Sequence, residues 1–356
     1  MPCANKCLRE SMADINLIKN LSEILGPSGF EDRVRSYIKS IIREYADEVF
    51  EDIFGNLYAR IGEGEPRLMI AAHMDEVGFM VRHITENGFL KVVNLGGINP
   101  ASALGAEVAV MTPNGDITGV IGSIPPHLMR DGGKPQVTIK SLFVDVGALS
   151  RKEVEEMGIR KGTPITFICK FKRRGNTIIG KAFDDRLGCA ALIELIRTIE
   201  RPREGSVYIV FTVQEEVGTR GAAVAAYRIH PKVALSIEGT IAADIPGVEP
   251  EEAVTFLGKG PSIRIMDAVM IANQKLFNLL IDVAESNNIK YQIQLSPKSG
   301  TDAGRIQYAR EGVAVSNVSV PTRYSHYPAS LARMEDYEGL VRLLEAAIPK
   351  ILEAFR

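Results

Sequence analysis

A chain of 356 residues is too long for one minimal core and fits either one large domain or two ordinary ones. Hydrophobic residues at 46% and charged residues at 24% describe a soluble globular protein and exclude a disordered or fibrous one. The 42 Lys+Arg and 44 Asp+Glu leave a formal charge of -2, too small to recruit nucleic acid or an anionic membrane, so neither is expected as a partner.

The first residues, MPCANKCLRES, lack the apolar segment of a secretory signal, and no apolar run along the chain reaches membrane-spanning length. Cys3, Cys7, Cys169 and Cys189 have no paired C-x-x-C spacing, so a reduced, cytoplasmic protein is expected. Order is predicted to begin near Asp14, where Ile15, Leu17, Ile18, Leu21, Ile24 and Leu25 trace an amphipathic helix stopped at Gly26 and Pro27. Ser28, with Glu31 three residues on, predicts a capping box for a second helix running towards Tyr45. Strand signals near 49–53 and 57–60 precede RLMIAAHMDEVG, whose apolar run suits a buried strand that delivers His73 and Asp75 to its carboxyl end.

From Gly78 to Arg174 the texture changes to short β segments, GFMVRHI, GFLKVVNL, EVAVMT and ITGVIGS, separated by turns. Asn114 and Gly115 predict a hairpin, and Ser150 with Glu153 opens a helix that Gly158 closes. Residues 78–174 are therefore expected to form an inserted small β-barrel. Beyond it, helices near 185–200, 273–286 and 336–353 alternate with the strands SVYIVFTV, KVALSIE, YQIQL and VAVSNVSV. The fold class is α/β: an open mixed sheet flanked by helices, built from residues 1–77 and 175–356 and split by the barrel.

Ligand sites in open α/β sheets gather beyond the carboxyl ends of the strands. His73 and Asp75 follow RLMIAA, Glu215 and Glu216 follow SVYIVFTVQ, Glu238 follows KVALSI, His326 lies just past VAVSNVSVPTR, and Asp184 and Asp185 sit immediately before a predicted helix. Any one of these has a bland reading, as a helix cap or a hydrogen-bonded core residue. Together they do not, because carboxylates beside buried strands need a cation or partner to offset desolvation. Imidazoles and carboxylates without thiolate point to zinc, cobalt or manganese. Five ligands with one bridging suit two divalent ions about 3.5–4 Å apart, a pair that hydrolyses acyl bonds. One of Glu215 and Glu216 is then a ligand and the other a general base.

These motifs resemble the tetrahedral aminopeptidases, co-catalytic metallopeptidases that include glutamyl and deblocking aminopeptidases. The carriers are GPSGFE (26–31), AAHMDEVG (71–78), KAFDDRLGC (181–189), VQEEVGTRGA (213–222), SGTDAG (299–304) and PTRYSH (321–326). The resemblance implies a zinc-peptidase-like catalytic domain in which Asp184 bridges, His73 and Glu238 complete one metal site, and Glu216 and His326 complete the other. It makes Glu215 the general base and gives Asp75 the task of hydrogen-bonding the free nitrogen of His73. The family often has Asp where this chain has Glu238. Asp302, Asp185 and Arg186 are read as structural, Asp302 as an ordinary helix N-cap; His83, His127 and His230 match no ligand position, though His127 could approach a neighbouring subunit's site. The resemblance further implies short unfolded peptides as substrates and a homo-oligomer, a dodecamer built from dimers through the barrel. The rival reading is an endoglucanase-type glycoside hydrolase; no Trp and only 6% aromatic residues argue against it, since sugar grooves stack rings on aromatic side chains.

Overall fold

The computed structural model describes residues 13–125 and 137–356; Cys3, Cys7 and His127 lie outside them. Helices α1 (Ile15–Glu23) and α2 (Asp32–Ile42) lead into strands β1 (Glu48–Glu51), β2 (Leu57–Glu63) and β3 (Arg67–His73). Asp14 caps α1 by accepting from Leu17 N. The predicted capping box on α2 does not form. Glu31 accepts instead from Gly29 N and Gln214 N, and Ser28 Oγ donates to Asp75. Tertiary partners have taken both side chains away from the local motif.

The next strands close on themselves: β4 (Gly78–Ile84), β5 (Leu90–Leu95), β6 (Glu107–Thr112), β7 (Gly115–Gly122), β8 (Phe143–Asp145) and, after helix α3 (Arg151–Glu156), β9 (Pro164–Phe167). They form a closed barrel in the order β4-β5-β8-β7-β6-β9 around a core that includes Phe79, Val108, Val110, Val144, Ile165 and Phe167. The hairpin joining β6 and β7 pairs Thr112 with Gly115, so its loop is Pro113 and Asn114, one residue earlier than the Asn–Gly signal suggests. Because β4 and β9 are antiparallel neighbours, the chain enters and leaves the barrel side by side.

The chain then returns to the large sheet with β10 (Lys172–Arg174) and β11 (Thr177–Gly180), followed by α4 (Phe183–Thr198), β12 (Gly205–Thr212), α5 (Arg220–Ile229), β13 (Val233–Ile241), β14 (Ser262–Asp267), α6 (Gln274–Ser286), β15 (Gln292–Ser296), α7 (Ala303–Ile306), β16 (Ala314–Arg323), β17 (Ser330–Arg333) and α8 (Met334–Ala354). The 11-stranded sheet runs β1-β2-β12-β3-β13-β16-β17-β11-β10, with β14 against β16 and β15 outside it. At its centre β12, β3, β13 and β16 are all parallel, so their carboxyl ends share one edge. Alternation along β3 explains the two layers. Leu68, Ile70 and Ala72 pack with α1, α2, α4, α6 and α8, whereas Met69 and Ala71 pack with α5 and α7. Among the described residues no helix is long and apolar enough to cross a membrane.

Candidate metal centre

The shared carboxyl edge of the parallel strands gathers the polar residues into one cluster. His73 is the last residue of β3, and its Nε2 lies 3.3 Å from Asp184 Oδ1 and 3.4 Å from Glu238 Oε2. On the other side of Asp184, His326 Nε2 lies 3.3 Å from Asp184 Oδ2 and 3.1 Å from Glu216 Oε1. Two trios result, His73–Asp184–Glu238 and Asp184–Glu216–His326, each with its candidate ligand atoms within 4.8 Å of one another. Asp184 belongs to both and presents a different oxygen to each imidazole.

The local chain is shaped to deliver these groups. Asp184 and Asp185 have non-helical backbone angles, so regular α4 geometry starts only after them. Asp185 Oδ1 accepts from Gly188 N, as a cap does, and buried Arg186 donates to the carbonyls of Met74, Leu21 and Ile24. These are the capping and main-chain contacts that the structural reading of Asp185 and Arg186 expects. Gly239 follows Glu238 because β13 passes so close to the Asp184 loop that a Cβ would lie 2.7 Å from Asp184 Cα.

Two adjacent glutamates face one site because β12 ends at Thr212 and Gln214 turns the chain with φ +58°. Asp75 fixes that turn: its Oδ1 accepts from Glu215 N at 2.9 Å, and its Oδ2 accepts from Glu216 N at 3.1 Å and Ser28 Oγ at 2.7 Å. His73 Nδ1 meets the Asp75 main-chain carbonyl at 3.1 Å and its carboxylate Oδ1 at 3.5 Å. The carbonyl makes the shorter contact, and since a carbonyl only accepts, it places the proton on Nδ1 and leaves Nε2 for the cluster.

Asp302 departs from its expected role. Its side chain makes no capping bond to α7; it is buried, its Oδ2 accepts from Thr212 Oγ1 at 2.6 Å, and its main-chain N donates to Glu238 Oε1. An Asp at a helix start reads as a cap in any sequence, and only the fold brings β12 beside it. Also unforeseen is a buried ion pair, Lys181 Nζ bonding both Glu76 oxygens at 2.6 and 2.7 Å, which ties the approach to Asp184 to the loop after His73. The residue types were visible in KAFDD and HMDEVG; their pairing across the fold was not. His83 and His230 are exposed and outside the cluster.

The electrostatics follow from crowding. Burial pushes the carboxyls of Glu215, Glu216 and Glu238 up, and neighbouring carboxylates add to the effect. Asp302 is raised to about 7 by burial and by Glu238. Asp184 goes the other way: burial works to raise it, but hydrogen bonds with His326 and His73 hold it below the ordinary range. Burial opposes charge on the imidazoles, yet the surrounding carboxylates prevail and lift His73 well above its usual value and His326 to about 11. The cluster therefore favours positive charge at its centre. Glu216 Oε1 is buried without a hydrogen-bond partner despite its 3.1 Å approach to His326 Nε2, which fits two atoms aimed at a common point rather than at each other.

Comparison with known proteins shows the family. The family described as M42 glutamyl aminopeptidase matches residues 55–343. Lysyl aminopeptidase of Pyrococcus furiosus is 39% identical over 347 residues, covering 96% of this chain and 98% of the relative. An aminopeptidase of the archaeon Desulfurococcus kamchatkensis superposes with a TM-score of 0.91 at 38% identity, covering 96% and 97% of the two chains. The TET1 peptidase of Pyrococcus horikoshii, described as able to assemble into a tetrahedron or a large octahedral shell, superposes with a TM-score of 0.83 at 35% identity over 93% and 98%. The match spans most of the sequence and nearly all of these relatives, and the chain belongs to the M42 glutamyl aminopeptidase family.

Proposed function

We propose that this aminopeptidase uses two divalent ions, zinc or cobalt in the first instance and manganese in the second, held in the two trios that share Asp184. His73 and Glu238 would complete one subsite, and Glu216 and His326 the other. The observation that carries the reading is the pair of trios itself, with one carboxylate oriented between two imidazoles and all five residues on one sheet edge. The donor set suits the group: imidazole and carboxylate without thiolate match zinc, cobalt or manganese, and the unpartnered Glu216 Oε1 calls for a cation. When bound, such a pair polarises a scissile carbonyl, brings water within reach of ionisation near neutral pH and stabilises a tetrahedral intermediate.

The remaining work falls to the chain. Glu215, beside the proposed ligand Glu216, accepts a proton from the attacking water and returns it to the leaving amine. Asp75 holds Glu215 and Glu216 at their turn and steers His73. Substrates are short unfolded peptides with free amino termini. The barrel joins subunits, and the assembly is a dodecamer built from dimers, in keeping with the shells described for the horikoshii relative. The large sheet and its helices act as the catalytic unit in a cytoplasmic setting, with the barrel that begins at Gly78 as the insert; the expected boundary at 174 runs too far, because β10 (Lys172–Arg174) pairs into the large sheet and the last barrel strand ends at Phe167.

Reconstitution tests this reading. Protein stripped with a chelator should cleave no aminoacyl chromogen, should recover with cobalt or zinc, and should leave cellulose derivatives untouched with or without metal. Full turnover by the stripped protein sinks the metal mechanism; release of sugar from cellulose derivatives restores the glycosidase rival.

A further inference from the structure

Beyond β5 the barrel sends Gly96 and Gly97 across to the metal cluster. Gly97 O accepts a hydrogen bond from His326 Nδ1 at 2.7 Å, joining residues 229 apart in sequence. That bond keeps the proton on Nδ1 and turns Nε2 towards Asp184 and Glu216. Gly96, at φ +82°, backs the second of these ligands: a Cβ there would lie 2.8 Å from Val77 Cγ1, 3.1 Å from Glu216 Cβ and 3.3 Å from Glu216 Oε2.

The two glycines thus touch both ligands peculiar to the Asp184–Glu216–His326 trio. The other trio is held differently. His73 Nδ1 donates to the Asp75 carbonyl in its own loop and the side chain is 1% exposed, whereas that of His326 is 33% exposed and sits in a loop at φ +63°. With less protein packed around it, His326 depends more on the one bond that orients it.

We propose that Gly96 and Gly97 are positioning residues for the Glu216–His326 metal subsite, so that the barrel builds part of the catalytic centre as well as serving any role between subunits. The proposal rests on the two-metal reading. A carbonyl bond of this kind fixes the tautomer and direction of a ligating ring, and loss of such support lowers metal affinity roughly 10–100-fold.

The test is calorimetric titration of cobalt(II) into stripped full-length protein, with bound metal counted by elemental analysis and folding followed by circular dichroism. Wild-type protein should bind two ions per chain. Gly96→Ala should weaken one step by roughly 10–100-fold, and that step should be the one lost in His326→Ala, while the step lost in His73→Ala stays intact. Should Gly96→Ala fail to fold, Val77→Ala/Gly96→Ala clears the 2.8 Å contact and keeps the pressure on Glu216. Two ions in wild-type protein with unchanged affinity in the Gly96 variant overturn the proposal alone. Weakening of the His73 step overturns it too, and a wild-type protein that binds fewer than two ions takes down the underlying two-metal reading with it.

Discussion

Glu215 and Glu216 are neighbours in sequence, both bonded through their N–H groups to Asp75, and yet their carboxyls have different surroundings. Glu216 Oε1 lies 3.1 Å from His326 Nε2, whereas burial and the charge of Glu238 raise the Glu215 carboxyl. Glu215→Gln should therefore keep both metals and lose roughly 10²–10⁴ in kcat, the usual contribution of a positioned acid–base group. Glu216→Gln should lose one metal and regain some activity at high metal concentration. Elemental analysis beside steady-state kinetics separates the two, and the reverse pattern would exchange their roles. Glu31, which supports the Gln214 turn and is outside both trios, gives a pH test. Burial, and then Asp75, raise its carboxyl from an ordinary 4.5 to about 7. Between those values the native state holds a proton that the unfolded state has released, so its contribution is full below 4.5 and is lost as pH rises through about 7. Glu31→Gln, which keeps an acceptor for Gly29 and Gln214, should flatten that decline in unfolding midpoints measured from pH 5 to 8; parallel profiles for the two proteins would remove Glu31 from the account. At this scale the ligand candidates were legible because polar residues ending apolar strands are conspicuous. Asp302 was not, since nothing local distinguishes a buried Asp beside Thr212 from a cap.

Elements were legible where period and composition agreed. The apolar runs became β3, β12, β13 and β16, the first helix begins just after Asp14, and Ser150 caps its helix. The Ser28–Glu31 box failed because Asp75 and the Gln214 turn compete for the same side chains, a long-range contest invisible in a four-residue motif. The turn after β12 was foreseeable only as a necessity: two adjacent residues of a strand point to opposite faces, so the strand had to end before both glutamates could serve one site. Lys181 and Glu76 hold the two loops that carry Asp184 and His73, and each is nearly inaccessible to solvent. Lys181→Met leaves a buried carboxylate with a hydrogen bond from Gly26 N and a 3.5 Å approach from Arg186 but no close cation, and should cost about 3–5 kcal/mol in denaturant unfolding. Lys181→Met/Glu76→Gln should recover part of that loss. An unchanged midpoint in the single variant would show that the pair carries no such weight.

At the scale of the whole molecule, the split α/β sheet and the inserted barrel were readable from the switch between long helical periods and short, turn-punctuated strands. The crossing of the Gly96–Gly97 loop to His326 was not, because hydrophobic pattern says nothing about which surface of one unit meets another. Since β4 and β9 leave the large sheet side by side, the barrel can be replaced by a short linker between residues 77 and 168. Such a protein should sediment as a species smaller than the full-length assembly, whereas an unaltered dodecamer would deny the barrel its role between subunits. The central claim is that one carboxylate, Asp184, joins two metal subsites. Metal content per chain, measured by elemental analysis on wild-type protein and on three variants under identical loading, tests it most directly. The account predicts two ions in wild-type protein, about one in His73→Ala and in His326→Ala, and loss of both in Asp184→Ala. Asp184→Ala that retains two ions, or histidine variants with undiminished metal, would contradict it.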